Sequence, residues 1–244
     1  MTRHDPGPAP AECLAPTQLI DSEHPDIAAI AAKVTAGAHD EVERAVRLHD
    51  FVRDRILFGW APAFERQKAS EVLKSGIGFC NTKSTLLAAL LRASHIPARM
   101  RFKTINRHIL DGLIRPPQAF VDHSYVEVWL DGRWVGADSY AVDSALQRAA
   151  VARCRTEGKR IGYGVHTGGT TQWDGRSNAF TQLNDDGTVP DLSDEDFGSY
   201  VDLDSFRATG RGRNPTHLPA RLGTRLMLPA ANRRVARLRA EFSF

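Results

Sequence analysis

The stretch SGIGFCNTKSTLLAALLRASHIPAR, residues 75–99, places one cysteine between a glycine-rich run and a long apolar stripe. From Asn81 to about Ser94 the leucines recur on one face, which predicts a helix that is buried along most of its length. Cys80 would then lie at the positive end of the helix dipole, a position that favours the thiolate form of a cysteine. The competing interpretation is a structural cysteine, because free cysteines are commonly core residues.

A base for this thiol is predicted in two strands that flank the dipeptide Asp131-Gly132. This dipeptide is a strong signal for a two-residue hairpin turn, so DHSYVEVWL and RWVGADSY are expected to pair. The register that follows puts His123 and Asp138 on the same face of the hairpin as diagonal neighbours. The carboxylate would accept the N–H of the imidazole and leave the other ring nitrogen free for Cys80.

The rest of the sequence predicts an α+β fold. Three helices are expected before the cysteine, in DSEHPDIAAIAAKVTAG with Asp21 or Ser22 as its cap, HDEVERAVRLHDFVRDRI, and KASEVLKSG with Ser70 as its cap. A strand in IPARMRFKTI follows the central helix and precedes the hairpin. Helices followed by consecutive strands argue against alternating βαβ units. A helix in VDSALQRAAVARCRTEG and a basic helix in ANRRVARLRAEF come later, separated by a glycine-rich irregular stretch.

Three regions are expected along the chain. Residues 1–19 are rich in proline and alanine and predict a flexible arm, residues 20–140 form the core, and residues 141–244 form an extension packed on it. Long irregular segments beside active sites commonly act as covers. Residues 161–180 are therefore expected to fold over Cys80, with Trp173 above the acyl pocket. The alternative is that this segment pads the sheet, where Trp173 and Phe180 would extend the core.

Composition narrows the class of protein. The chain has 244 residues, of which 42% are hydrophobic and 25% are charged, and these values are typical of a globular protein. A net charge of +3 is too small to favour nucleic acid as a partner, and no apolar run is long enough to predict a membrane span. The three cysteines lie far apart, without a CxxC pair or a His/Cys cluster, which favours a reduced cytoplasmic location and predicts no metal or cofactor. The composition leaves the oligomeric state open.

The segments GIGFCNTKSTLLAALLRASHIPAR and HSYVEVWLDGRWVGAD resemble the transglutaminase-like superfamily. Its core pattern is a Gly-x-Cys that opens a Leu/Ala-rich helix, a His-x-x-x-Glu-Val strand, and an Asp after a Gly-Arg-Trp-Val hairpin. The resemblance covers the chain from about Ala69 to Tyr140. It implies a papain-like core in which a helix carrying the nucleophile Cys80 packs on an antiparallel sheet, with His123 as general base and acid and Asp138 as the residue that orients it.

Further candidate residues lie around these three. Trp60 and Gln67 are upstream, in the loop that approaches the cysteine in related folds, and either could bind the oxyanion. Tyr125, where the family commonly has Trp, is a candidate for lining the substrate, and Trp173 is another because of its expected place over the site.

The predicted function is cysteine-dependent acyl transfer, with an amide, a peptide or a thioester as the acyl substrate. If water resolves the acyl-enzyme thioester, the protein is a peptidase or amidase, which is the default, whereas an amine makes it a transglutaminase or amide synthase. A carbon nucleophile would make it a Dieckmann-type cyclase, since some members of the superfamily act on carrier-bound polyketides. The alternative from another class is a non-catalytic binding module with this fold. The intact Cys-His-Asp set argues against that alternative.

Overall fold

A computed structural model describes residues 9–184, 191–214 and 218–241, with the backbone alone for 218–226. The helices are α1 Pro25–Thr35, α2 Glu41–Arg55, α3 Ala69–Ser75, α4 Cys80–Ala93, α5 Ser144–Thr156, α6 Leu203–Ala208 and α7 Leu218–Ala240. The strands are β1 Leu57–Phe58, β2 Ile77–Gly78, β3 Ala98–Asn106, β4 Phe120–Leu130, β5 Arg133–Ala137, β6 Ile161–Gly162, β7 Val165–His166 and β8 Asp196–Tyr200. Within these ranges, none of the helices is both long and apolar enough to cross a lipid bilayer.

The main sheet has four antiparallel strands in the order β5-β4-β3-β8, and α4 packs against one face of it. Alternate side chains of the two central strands point at the helix, as the period of two in a strand requires. They form the main core together with the leucine stripe of α4, and the central members of this core are Leu86, Leu87, Leu90, Leu91, Met100, Phe102, Val126 and Val128. The predicted α+β fold, with the cysteine-bearing helix packed on an antiparallel sheet, is confirmed.

The hairpin between β4 and β5 has the predicted register. Asp131 and Gly132 both have positive φ angles, 50° and 77°, as a type I′ turn requires. Trp129 consequently faces Trp134, with ring centroids 5.3 Å apart. This turn fixes which residues of the two strands lie opposite each other up to the end of β5.

The predicted helix caps at Asp21, Ser22 and Ser70 are wrong. His24 caps α1, and Ser70 lies inside α3, which is preceded by Lys68. Asp21 and Ser70 instead bond to each other, because the Asp21 carboxylate accepts from the Ser70 hydroxyl at 2.6 Å and from its backbone N–H at 3.1 Å. Asp21 and Ser70 therefore form a tertiary contact with each other and cap neither helix.

Residues 9–19 are packed against the domain, contrary to the prediction of a flexible arm. Cys13 and Leu19 are buried, and the carbonyl of Ala15 accepts a hydrogen bond from Arg92 at 2.7 Å. Burial of these apolar side chains offsets the entropy that a proline-rich segment loses on ordering. Residues 1–8, the remainder of the predicted arm, lie outside the described residues.

The C-terminal extension is built into the main sheet. β8 pairs with β3, and Phe206 of α6 stacks on Phe102 with ring centroids 4.2 Å apart. The predicted irregular stretch is therefore wrong for residues 196–208, where a strand of only five residues containing Gly198 gives too short an alternation to recognise. The basic C-terminal helix is longer than predicted, because α7 continues through Pro229. A boundary at residue 140 does not divide the fold into separate layers.

Candidate active site

Cys80 is the first residue of α4, and the residues around it explain why the helix begins there. Phe79 has an extended backbone, and its N–H donates to Thr82 Oγ1 at 3.0 Å. A Cβ atom on Gly78 would lie 2.8 Å from Thr82 Oγ1 and 3.0 Å from Lys83 Cγ, so this close approach requires glycine. The N–H of Cys80 has no acceptor within the helix, and its partly buried thiol lies at the positive end of the dipole.

The imidazole of His123 lies between Cys80 and Asp138. Its Nε2 is 3.1 Å from Asp138 Oδ2, and Cys80 is close enough to the ring to raise the pKa of the imidazole. The side chains of His123 and Asp138 are 1% and 0% exposed, so water does not compete for their contact. The fold thus brings together the three residues that the sequence singled out.

The charges around His123 favour its protonated form. Burial alone would lower the pKa of His123, because desolvation disfavours the imidazolium ion. The negative charge of Cys80 and the hydrogen bond to Asp138 outweigh burial and raise this pKa to about 9. At pH 7 this raised pKa favours the imidazolium form of His123. In the described part of the chain, no cluster of three or more His, Cys, Asp or Glu side chains could hold a metal ion.

The Asp138 carboxylate accepts hydrogen bonds from three backbone N–H groups as well as from His123. Oδ1 accepts from Thr181 at 2.5 Å and from Gln182 at 3.1 Å, and Oδ2 accepts from Leu183 at 2.9 Å. These donors fix the orientation of the carboxylate and satisfy its buried charge. They belong to the extension, and sequence reasoning missed them because a backbone N–H carries no residue-specific signal.

A second polar layer lies behind the site and was also missed. His49 Nε2 is 2.7 Å from Ser139 Oγ, and burial lowers the pKa of this histidine. The hydroxyl of Tyr140 is 2.7 Å from Ser84 Oγ and accepts from the backbone N–H of Val126 at 3.1 Å. These bonds connect α2, α4 and β4 to the two residues that follow Asp138. The partners are far apart in sequence, and no motif links them.

The buried carboxylate of Glu65 forms a third missed feature, on the side of α4. Its Oε1 accepts from Asn81 Nδ2 at 2.7 Å and from Asn214 Nδ2 at 2.9 Å, and its Oε2 accepts from Arg207 at 2.7 Å. Asn81 is the neighbour of Cys80, and its Oδ1 lies 3.5 Å from the sulfur. Glu65 therefore ties the first turn of α4 to two residues of the C-terminal extension.

Cys80 also packs against a second core, separate from the main core. Its members come mainly from α5, α7 and the segments before α4, and they are Phe58, Trp60, Phe79, Leu113, Val142, Leu146, Ala149, Ala150, Val151, Val165, Leu228, Ala231, Val235 and Leu238. Leu110, Ile114, Phe64 and Tyr163 are partly buried against it. The extension therefore forms much of the apolar surface next to the thiol.

The structure separates the two oxyanion candidates. Trp60 belongs to the second core, and its backbone N–H and carbonyl both bond to the Asn232 side chain of α7 at 2.9 Å. Gln67 is buried and donates to Ser75 Oγ at 3.4 Å, at the end of α3. An oxyanion-binding role for either residue stays a prediction.

The structure places the substrate-lining candidates Tyr125 and Trp173 in apolar clusters. Trp173 lies in the main core, with its ring centroid 5.3 Å from that of His49. Tyr125 packs edge-on against Phe180 in a third cluster, with centroids 5.2 Å apart. Cys80 packs against neither cluster. Trp173 and Phe180 thus extend two apolar clusters of the fold, as the alternative interpretation expects, and a place for Trp173 over the acyl pocket stays a prediction.

Residues 161–180 are the expected cover, and the β6–β7 hairpin at its start does adjoin the second core, against which Cys80 packs. Val165 is buried in the second core, and Tyr163 packs against it. The backbone N–H of Gly164 donates to the carbonyl of Ile109 at 2.7 Å, which holds the β6–β7 hairpin against the turn after β3. The hairpin is a fixed part of the fold beside the site.

Three solved structures show distant similarity to the chain. A Cytophaga hutchinsonii protein proposed to be a cysteine protease is 18% identical over 52% of this chain and 40% of its own, with a TM-score of 0.43. A Parabacteroides distasonis protein proposed to be a protease is 20% identical over 52% and 24%, with a TM-score of 0.36. Red sea bream transglutaminase is 17% identical over 46% and 25%, with a TM-score of 0.34. The chain spans less than half the length of each, and no curated protein is significantly similar to it.

A family model matches the part of the chain that carries the site. It describes the Transglutaminase-like superfamily and covers residues 28–139, from within α1 to just beyond β5. Cys80, His123 and Asp138 all lie inside this range. Over residues 28–139 the chain is therefore similar to the Transglutaminase-like superfamily.

Proposed function

We propose that this protein is a cysteine acyl-transfer enzyme that works through an acyl-enzyme thioester on Cys80. The match of residues 28–139 to the Transglutaminase-like superfamily supports a cysteine-based enzyme. The observation that carries the proposal is the position of His123, which lies near Cys80 and has its Nε2 3.1 Å from Asp138 Oδ2. A nucleophile, a base and a group that orients the base are the parts that nucleophilic catalysis needs.

In the first half of the reaction, the Cys80 thiolate attacks the carbonyl carbon of an amide or thioester. A C–S bond forms, and the carbonyl oxygen becomes an oxyanion, to which the N–H of Cys80 can donate because it has no acceptor in the helix. The intermediate then collapses and breaks the bond to the leaving group. His123 donates its proton to the leaving amine or thiolate, and the acyl chain stays on Cys80.

In the second half, His123 is neutral and accepts a proton from the second nucleophile. With water, the resulting attack breaks the C–S bond, releases a carboxylic acid and restores the thiolate–imidazolium pair. An amine gives an amide by the same steps, and a carbon nucleophile within the acyl chain gives a ring, which is the Dieckmann-type alternative. Hydrolysis is the default because water needs no binding site of its own.

Acylation of Cys80 can be tested by mass spectrometry of the intact protein. After brief exposure to an S-acyl N-acetylcysteamine thioester, the wild type should gain the mass of one acyl group, and Cys80→Ser should gain none under conditions that cleave esters. Cys154→Ser, which replaces a buried cysteine of α5, is the matched control and should still be acylated. An adduct that persists in Cys80→Ser, or no adduct in the wild type with any of a panel of acyl chains, would contradict the proposal.

A separate measurement distinguishes the enzyme from a non-catalytic binding module. At pH 7 Cys80 should react with iodoacetamide faster than a cysteine in an unstructured peptide, because the thiolate is the reactive form. A rate no higher than that of the peptide would favour the binding module. The proposal includes a cytoplasmic location and no nucleic-acid or membrane partner, both supported by composition alone.

A further inference from the structure

A cavity of about 430 Å³ opens next to the second core, between the turn after β3, the end of α5 and helix α7. This volume falls in the range of about 300–1,000 Å³ that is usual for small-molecule pockets. Three cationic side chains from these separate elements line it, namely Arg115, Lys159 and Arg234. The cavity also has an apolar part, to which Leu113 and Ile114 contribute.

The positive charges of the cavity exceed its negative charge. Its one carboxylate, Asp111, is 2.9 Å from His108 Nδ1. Lys159 is paired with Glu157 at 2.7 Å, and Arg234 donates through Nη1 to a backbone carbonyl at 2.8 Å. Arg115 is exposed and forms no hydrogen bond or ion pair with any residue in the described ranges. Like charges that converge repel each other, and an anion bound between them would remove this repulsion.

The cavity is held in shape by the residues beneath it. Gly112 has a φ of +86°, and a Cβ atom there would lie only 2.0 Å from Cε1 of Tyr163. The ring of Tyr163 therefore rests directly on the turn, and the Tyr163 N–H donates to the carbonyl of Asp111 at 2.9 Å. The carbonyl of Leu113 accepts from Arg234, which joins the same turn to α7. A ligand would therefore find the turn and Arg234 already positioned.

The cavity and Cys80 adjoin the same apolar cluster. Leu113 is buried in the second core, and Ile114 and Tyr163 pack against it, as Cys80 does. An anionic group bound among the cations would therefore lie beside the cluster against which the thiol packs. The cations and the second core together favour a substrate with one charged end and one acyl end.

We propose that this cavity binds the phosphate group of an acyl thioester substrate whose acyl carbonyl reaches Cys80. The proposal rests on the proposed acyl-transfer function and gives its substrate class. Phosphate fits three cations better than a carboxylate does, because it offers more acceptor oxygens and, as a monoester, nearly two negative charges. The cavity is larger than one phosphate and has room for the start of the chain that links it to the thioester.

The test uses two thioesters that differ only in the phosphate group. Octanoyl-4′-phosphopantetheine and octanoyl-pantetheine are titrated into the full chain carrying Cys80→Ser, and binding is measured by calorimetry. The phosphate should strengthen binding by about tenfold or more, because it adds charge-assisted hydrogen bonds to the cations. Inorganic phosphate should compete with the phosphorylated probe, and added salt should weaken only that probe.

Variants of the cavity give the matched comparison. Arg115→Gln should remove most of the gain from phosphate because it removes one of the three cations. The fold should persist because Arg115 forms no hydrogen bond or ion pair within the described residues. Arg237→Gln, an exposed arginine of α7 that does not line the cavity, should leave the gain unchanged. Equal affinities for the two thioesters, a gain that survives Arg115→Gln combined with Arg234→Gln, or a failure of inorganic phosphate to compete would each overturn the proposal.

The outcomes also separate this proposal from the proposed function. If both thioesters acylate Cys80 equally fast and bind equally well, the acyl-transfer function stands and the phosphate site falls. If the phosphorylated probe binds more tightly through Arg115 but Cys80 is never acylated, the phosphate site stands and the acyl-transfer function falls.

Discussion

Asp122 and Asn214 bind each other through two reciprocal hydrogen bonds. The backbone N–H of Asp122 donates to Asn214 Oδ1 at 3.1 Å, and the backbone N–H of Asn214 donates to Asp122 Oδ2 at 2.8 Å. Asp122 directly precedes His123. The side-chain Nδ2 of Asn214 donates to the carboxylate of Glu65, which also accepts a hydrogen bond from Asn81 in the first turn of α4. One side chain of the extension thus connects the neighbours of the two reacting groups.

Asn214→Ala should loosen the spacing between Cys80 and His123. The change leaves the Glu65 carboxylate and the N–H of Asp122 each without one partner, so the free energy of unfolding should fall by about 1–3 kcal/mol. The rate of Cys80 alkylation by iodoacetamide at pH 7 should fall as well, because His123 is no longer held next to the thiol. Arg211→Ala is the control, since Arg211 lies on the same segment but bonds to Phe197 and Glu195. Equal alkylation rates in the two variants would show that the connection has no effect on the site.

Asp138→Asn should impair both stability and activity. An amide has one acceptor oxygen, so its NH₂ group must face either the N–H groups of Thr181 and Gln182 or those of Leu183 and His123. We expect a loss of about 2–4 kcal/mol in the free energy of unfolding, measured with urea, because buried donors lose their acceptor. Asp131→Asn, in the exposed hairpin turn, should be nearly neutral because Asn-Gly also suits a type I′ turn. Unchanged stability of Asp138→Asn would contradict the four-bond arrangement.

The protonation of His123 should depend on Cys80. In the wild type the NMR titration of His123 should have a midpoint near pH 9, the value to which its surroundings raise the pKa. Cys80→Ser should lower this midpoint, because a neutral hydroxyl supplies no negative charge and burial then acts against protonation. Cys154→Ser should leave it unchanged. An identical midpoint in wild type and Cys80→Ser would mean that no thiolate–imidazolium pair forms.

Lys83, three residues after Cys80, should make stability depend on pH. It is fully buried and donates to the carbonyl of Arg53 at 3.2 Å, and burial lowers its pKa from 10.5 to about 7. Between these two values the unfolded chain binds more protons than the folded one, so this contribution to the free energy of unfolding increases as the pH rises. Lys83→Met abolishes that contribution.

The free energy of unfolding of Lys83→Met minus that of the wild type should accordingly be greatest near pH 6. It should fall by a few kcal/mol as the pH approaches 10, because one unit of pKa corresponds to about 1.4 kcal/mol. Urea unfolding at several pH values measures the difference. Lys74→Met, at an exposed position on α3, should show a difference that does not change with pH. A constant difference for Lys83→Met as well would refute the lowered pKa.

The sequence by itself determined where the helix that carries Cys80 begins. It also determined that His123 and Asp138 lie on the same face of the hairpin. The leucine stripe and Gly78 predict where α4 begins, because both act through residues within one or two turns of Cys80. Asp131-Gly132 determines the register of β4 and β5, because the turn type sets which residues pair. His123 and Asp138 could therefore be matched without a structure. The start of the helix depends on residues near Cys80. The pairing of the two strands depends on the turn between them, and the regular alternation of each strand extends that pairing to more distant residues.

Only the tertiary structure decided what surrounds these residues. The backbone donors to Asp138 come from residues 181–183, and the contacts of Asn214 with Asp122 and Glu65 span 92 and 149 residues. No periodic pattern connects such distant positions, and a backbone N–H has the same chemistry in nearly every residue. The surroundings of Trp173 depend on the tertiary structure for a related reason. Its sequence neighbours show that it needs burial, but which core it joins depends on the packing of the whole chain.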